Sequence, residues 1–103
     1  MTYSDLVNIF RADPREIPTA PKIRNTPKWF YVYERQGAIY ISSGREHSNA
    51  CRVSHDRRLD PSEFSVMLDI YRRRETGAPV SQEATENSVY QSYWFGIFKD
   101  MGM

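Results

Sequence analysis

The chain has 103 residues, which predicts one domain, and its formal net charge is +1. A hydrophobic share of 40% and an aromatic share of 14% argue against a disordered chain. No apolar run reaches the roughly 18 residues of a membrane span, the first residues lack the pattern of a signal peptide, and the single Cys51 cannot form an internal disulfide. We therefore expect a cytoplasmic protein that has no membrane contact, no cofactor and no structural metal.

The N-terminal region predicts a helix followed by an extended connection. Apolar side chains recur at helical spacing over residues 3–12, at Tyr3, Leu6, Val7 and Phe10. Thr2 and Asp5 occupy the cap and the third helical position of a capping box, which predicts where this helix begins. Residues 14–27 carry four prolines, so we expect them to cross the surface in an extended conformation.

The clearest predicted element is a β-hairpin over residues 28–43, with its turn at residues 35–37. Large side chains alternate between its two faces, with Trp29, Tyr31 and Tyr33 on one and Phe30 and Val32 on the other. A ribbon of two strands cannot cover both faces, so further elements must pack on it. A third strand is expected at residues 50–54, with Cys51 and Val53 facing the core.

Two helices are predicted in the C-terminal part of the chain. The first begins at Asp60, which is a good cap before Pro61, and ends at Gly77. The second is capped by Ser81 and runs to about Asp100. The side chains that we expect to face the core are Phe64, Met67, Leu68, Tyr71, Val89, Tyr90, Tyr93, Trp94, Ile97 and Phe98.

These elements predict a single α+β domain over residues 1–103. Its small antiparallel sheet has two or three strands around the central hairpin, packed by one N-terminal and two C-terminal helices. Gly96 lies in the middle of the last helix, where glycine costs about 1 kcal/mol relative to alanine. We therefore expect that this glycine lets the helix approach the sheet closely.

Basic residues are concentrated in one segment just after the hairpin. Residues 1–58 hold ten Lys and Arg against six Asp and Glu, whereas residues 59–103 hold four against seven. The densest stretch contains Arg45, His47, Arg52, His55, Arg57 and Arg58. Arginine forks beside exposed aromatic rings suit contacts with phosphates and stacking with bases. Alternatively, the arginine stems only cover apolar surface, and the pI of 7.9 lies below the value above 9 that is typical of nucleic-acid-binding domains.

We predict from this pattern a small non-enzymatic binding protein, and we assign no catalytic residue. Its contact surface would combine the basic segment with the hairpin tyrosines Tyr31, Tyr33 and Tyr40. DNA or RNA is the first choice of partner. The alternative is a protein partner, bound through a strand edge or an aromatic patch in a homodimer or as an inhibitor or adaptor of a larger assembly.

A third interpretation comes from the order of residues in the hairpin. Tyr31-Val32-Tyr33 followed by Tyr40-Ile41-Ser42 distantly resembles the paired motifs of the GIY-YIG nucleases, although both motif glycines are missing. That resemblance implies a minimal metal-dependent nuclease. The residues matching its functional positions are Tyr33, Tyr40, Arg52, His55 and Glu63.

Overall fold

A computed structural model describes residues 1–20 and 26–103 of the chain. Within them, the elements are α1 (Tyr3–Ala12), β1 (Arg15–Pro18), β2 (Trp29–Arg35), β3 (Ala38–Ser43), β4 (Arg57–Leu59), α2 (Phe64–Glu75), α3 (Ser81–Asn87) and α4 (Gln91–Asp100). The strands form one antiparallel sheet in the order β1-β2-β3-β4. The predicted α+β class is confirmed, but the described residues contain four strands and four α-helices rather than two or three strands and three helices.

The first helix begins and ends where the sequence predicts. The Thr2 hydroxyl accepts a hydrogen bond from the backbone N–H of Asp5, and the Asp5 carboxylate accepts one from the Thr2 N–H at 2.7 Å. This reciprocal capping box satisfies two backbone donors at the start of the helix. Leu6 and Phe10 are fully buried, so the apolar stripe of α1 faces the core.

The prediction that residues 14–27 only connect two elements is wrong for its first part. Arg15–Pro18 forms the edge strand β1, in which Ile17 pairs with Phe30 and is fully buried. A proline is tolerated at the end of an edge strand, since no ladder hydrogen bond from its nitrogen is required there. The prolines therefore frame a short strand instead of excluding one, and residues 21–25 of the predicted connection lie outside the described residues.

The hairpin of β2 and β3 is confirmed, and its turn explains its register. Gln36 and Gly37 have φ angles of 51° and 78°, the left-handed geometry of a two-residue turn whose twist matches that of the flanking strands. The apolar side chains of the hairpin that alternate toward the helices are fully buried, namely Phe30, Val32, Ile39 and Ile41.

The third predicted strand at residues 50–54 is wrong; the strand that pairs with β3 comes later, at Arg57–Leu59. Leu59 is fully buried opposite Ile39, so its side chain fixes the register of β4 from the core side. Residues 49–51 instead hydrogen-bond to the backbone of Trp29 beyond the end of β3. Cys51 and Val53 are consequently half-buried at the rim and do not face the centre of the core.

The first C-terminal helix follows the prediction, and the second is interrupted. The Asp60 carboxylate accepts a hydrogen bond from the Ser62 N–H at 2.9 Å, which caps a single 3-10 turn that leads into α2. The predicted last helix is divided because Ser88 is extended, and its hydroxyl accepts a hydrogen bond from the Tyr90 N–H at 3.0 Å. Val89, predicted to face the core, lies in this break and is 82% exposed.

The core lies between the sheet and the helices. Helix α1 packs on β2 and β3, α4 packs on β1, and α2 packs on α4. A Cβ atom at Gly96 would lie 2.5 Å from the carbonyl oxygen of Pro18, so the close approach that this glycine predicts is confirmed. In residues 1–20 and 26–103, no helix is long and apolar enough to cross a membrane.

Candidate functional site

Three tyrosine rings form a ladder on the face of the sheet opposite the helices. Tyr33 of β2 pairs with Tyr40 of β3, and their ring centroids lie 5.7 Å apart at an interplanar angle of 24°. Tyr31 stacks on Tyr33 at 5.8 Å and 27°. All three side chains are half-buried, so their rings present a continuous aromatic surface. We call this surface, made of Tyr31, Tyr33 and Tyr40, the tyrosine face.

Three exposed arginines surround the tyrosine face. The Arg35 guanidinium lies 5.9 Å from the centroid of the Tyr40 ring, and Arg58 is the cross-strand partner of Tyr40 in β4. Arg45 lies toward the other end, in the wall of a pocket that Tyr31 also lines. Within the described parts of the chain, none of these three arginines forms an ion pair. Their guanidinium groups are therefore available to an anionic partner.

Asp56 is the carboxylate closest to the centre of the tyrosine face. It accepts a hydrogen bond from the Tyr33 hydroxyl. Burial, reinforced by this hydrogen bond, raises the pKa of Tyr33 to about 12. Hydrogen bonds from Tyr33 and Ser42 hold the pKa of Asp56 below its usual range. At neutral pH, Tyr33 is thus protonated, Asp56 is ionised, and the pair holds the tyrosine ring in a fixed position.

Glu16 anchors the loop that borders the tyrosine face. Its carboxylate accepts hydrogen bonds from the backbone N–H groups of Arg45 and Glu46 at 2.7 Å each, and pairs with His47 Nδ1 at 2.9 Å. Burial would raise the pKa of Glu16, but the hydrogen bonds from His47 and the two backbone groups outweigh it and lower the pKa to about 2. The His47 ring also stacks on Trp29 at 3.6 Å. These contacts fix the backbone that carries the Arg45 side chain.

A pocket of about 590 Å³ opens beside Tyr31 and Tyr33. It opens where β1 begins. Along β2, the last pair with β1 is Arg15–Val32, so β1 does not cover the edge of β2 beyond Val32. Its ionisable lining residues other than tyrosine are Arg11, Glu16, Glu34, Arg45, Glu46 and Asp56. The pocket thus carries both signs of charge and is not itself a simple anion site.

The structure divides the predicted basic segment between the two sides of the sheet. Arg58 lies on the tyrosine face, whereas its neighbour Arg57 points to the helix side, because successive side chains of a strand alternate. Arg52 lies with Arg57 in a second pocket, next to Tyr93 of α4. His55 is exposed in the loop between them. Of the predicted contact residues, those that the structure brings to this side of the sheet are Tyr31, Tyr33, Tyr40, Arg45, His47 and Arg58.

The residues that match the nuclease motifs do not converge. Tyr33 and Tyr40 are neighbours on the tyrosine face, but Arg52 lines the pocket on the helix side. The Glu63 carboxylate accepts a hydrogen bond from the buried Trp94 indole at 3.1 Å. In the ranges that the structure describes, no group of three His, Cys, Asp or Glu side chains is placed to hold a metal ion.

Sequence reasoning missed three residues that shape the tyrosine face. Arg35 could have been found, since it lies two positions after Tyr33 and strand alternation puts both on one face. Asp56 and Glu16 gave no local signal, because loop closure alone brings them to the tyrosine rings and to the loop at residues 45–47.

Comparisons of the chain with protein-family models, with curated proteins and with solved structures give no match.

Proposed function

We propose that the tyrosine face binds single-stranded nucleic acid, with bases stacked on the tyrosine rings and phosphates held by the surrounding arginines. The observation that carries this proposal is the stacked ladder of Tyr31, Tyr33 and Tyr40, bordered by arginines without ion pairs among the described residues. Every base has a π-face, so aromatic side chains on an open sheet bind single strands with little dependence on sequence.

The positions of the charges support a direction for the bound strand. Arg35 and Arg58 lie at the Tyr40 side of the ladder, and Arg45 lies at the Tyr31 side. Guanidinium forks at the two ends can contact phosphates that enter and leave the aromatic surface. A strand that follows the ladder would therefore run across β2 and β3.

Asp56 supports placing bases, and not phosphates, over the middle of the face. Its ionised carboxylate beside Tyr33 would repel a phosphate at that point. A carboxylate can instead accept a hydrogen bond from an exocyclic amino group of a base. The face therefore separates a central region for bases from outer regions for phosphates.

The phosphate contacts are tested by fluorescence anisotropy with labelled single-stranded DNA and RNA of mixed sequence. Each phosphate contact to a single strand contributes about 0.7 to the slope of log affinity against log salt. We expect the double variant Arg35→Gln/Arg58→Gln to bind all sequences more weakly and to lower that slope by about 1.4. Arg72→Gln/Lys99→Gln removes the same charge from exposed positions on α2 and α4 and should keep the wild-type slope.

The stacking contacts are tested with substitutions at Tyr40. Stacking contributes about 1–3 kcal/mol per base, so Tyr40→Leu should weaken binding roughly 5- to 150-fold, whereas Tyr40→Phe keeps the ring and should bind like wild type. Thermal melting of both variants checks that the sheet is intact. The proposal fails if the wild-type protein does not bind single strands at about 50 mM salt, or if Tyr40→Leu binds as well as Tyr40→Phe. A dimer that hides the tyrosine face would then favour a protein partner.

A further inference from the structure

A second, smaller pocket lies on the helix side of the sheet, away from the tyrosine face. Its volume is about 180 Å³. The residues that line it are Ile41, Arg52, Val53, Ser54, Arg57, Tyr90 and Tyr93. Arg57 reaches it because this residue pairs with Ile41, whose side chain faces the core. The pocket therefore brings together two arginines from the basic segment, Tyr90 just before α4 and Tyr93 in the first turn of α4.

The two charged residues that line this pocket, Arg52 and Arg57, are both positive. No Asp or Glu is among its lining residues, whereas the pocket beside the tyrosine face is lined by four carboxylates. Arg52 and Arg57 are exposed, and neither forms an ion pair with any acid in residues 1–20 and 26–103. Two guanidinium groups without a counter-charge favour an anionic ligand between them.

The remaining lining residues supply neutral hydrogen-bond donors on a rigid support. Tyr93 packs edge-on against the buried Phe30 ring at 4.9 Å and is hydrogen-bonded with the Cys51 thiol. Burial raises the pKa of Tyr93, so its phenol stays protonated at neutral pH. Ser54 and Tyr90 add further hydroxyl groups to the wall. Three residues that carry hydroxyl groups thus line the space beside the two arginines.

We propose that this pocket binds a phosphate group, either as inorganic phosphate or as the end of a small phosphate monoester. A compact dianion with several acceptor oxygens uses both guanidinium forks and the hydroxyl groups at once. The half-buried Tyr90 ring offers an aromatic surface beside the arginines for the organic part of an ester. The proposal does not depend on the tyrosine face, because the two arginine groups lie on opposite sides of the sheet.

The test is a titration of the full chain with inorganic phosphate and, separately, with phenyl phosphate, followed by backbone amide NMR shifts. We expect saturable shifts at Arg52, Ser54 and Arg57, with a dissociation constant below about 10 mM. Tighter binding of phenyl phosphate would identify an ester as the preferred ligand, and equal binding would identify the free anion. Shifts that do not saturate, or that spread over the whole surface, would overturn the proposal.

Variants assign the binding to the pocket. Arg52→Gln/Arg57→Gln should weaken phosphate binding at least about tenfold, since charge-assisted hydrogen bonds are lost at two sites. Arg57→Lys keeps the charge but not the fork, and should give an intermediate loss. Arg72→Gln/Lys99→Gln is the matched control for net charge and should bind like wild type. If Arg52→Gln/Arg57→Gln binds phosphate as tightly as the wild-type protein, the proposal is refuted. This result would not affect the test of the tyrosine face, because that test uses no variant of Arg52 or Arg57.

Discussion

The two faces of the sheet carry side chains of similar size in opposite surroundings. On the face toward the helices, Phe30 and Ile41 have no exposed surface. On the other face, Tyr31, Tyr33 and Tyr40 alternate with them along the same strands and remain half-buried. The helices cover only one side, so strand alternation alone separates residues that stabilise the fold from residues that can meet a ligand. Large aromatic side chains are therefore not by themselves a sign of the core.

The arginines of the chain also differ in their partners. Arg11 pairs with Glu34, Arg15 with Asp100, and Arg73 with Glu83; each of these arginines links two elements of the fold. The three arginines around the tyrosine face, Arg35, Arg45 and Arg58, form no ion pair within the described residues. The ion-paired arginines thus hold elements of the fold together, whereas the three arginines around the tyrosine face form no ion pair among the described residues.

The largest expected loss of stability is that of Trp94→Ala, on the side of the sheet that the helices cover. Trp94 is fully buried, stacks on Phe98 at 5.6 Å and donates its indole N–H to Glu63. Truncating a buried aromatic side chain costs about 3–5 kcal/mol, so chemical denaturation should show a loss of that size. Tyr31→Ala on the open face should cost about 1 kcal/mol or less, which is typical of a cross-strand pair. Equal losses in the two variants would contradict the division between the faces.

A smaller change in stability is expected for Gly96→Ala, and whether stability rises or falls shows how closely α4 approaches β1. In an open helix, alanine stabilises by about 1 kcal/mol relative to glycine. Here the added methyl group would meet the Pro18 carbonyl oxygen at 2.5 Å, and we expect a net destabilisation of about 1–3 kcal/mol. Ser65→Ala at an exposed position of α2 is the control and should be neutral or slightly stabilising. A more stable Gly96→Ala protein would mean that α4 and β1 are not in close contact.

The last expected effect is a pH dependence that involves Glu16, which is the exception on the open face because the loop at residues 45–47 covers its carboxylate. Its pKa of about 2 lies below the ordinary value of 4.5, so its ionised form stabilises the fold above pH 4.5. That stability should be lost as the pH falls from 4.5 toward 2. Glu16→Gln should lack this part of the acid dependence in urea denaturation at several pH values. Glu46→Gln, at an exposed position of the same loop, should keep it.

Predictions that depended on neighbouring residues agree with the structure. The capping box of α1 and the turn at Gln36 and Gly37 are formed by groups a few positions apart, so their signals are complete within short segments. Arg35 was not predicted, although its place on the tyrosine face follows from its spacing to Tyr33 in the same strand. The strands β1 and β4 were not predicted, since a strand of three or four residues is defined by the partner that it meets and hardly by its own composition.

The sequence by itself determined the class of the domain, the hairpin, the first helix and the alternation that puts Tyr31 and Tyr33 on one face of the hairpin. Only the tertiary structure decided which side of the sheet the helices cover, and that Arg57 and Arg58 lie on opposite sides of it. It also decided that Glu16 and Asp56 reach the loop and the rings. The physical reason is that periodicity and capping act over a few residues, whereas burial and long-range hydrogen bonds depend on segments that are far apart in the chain.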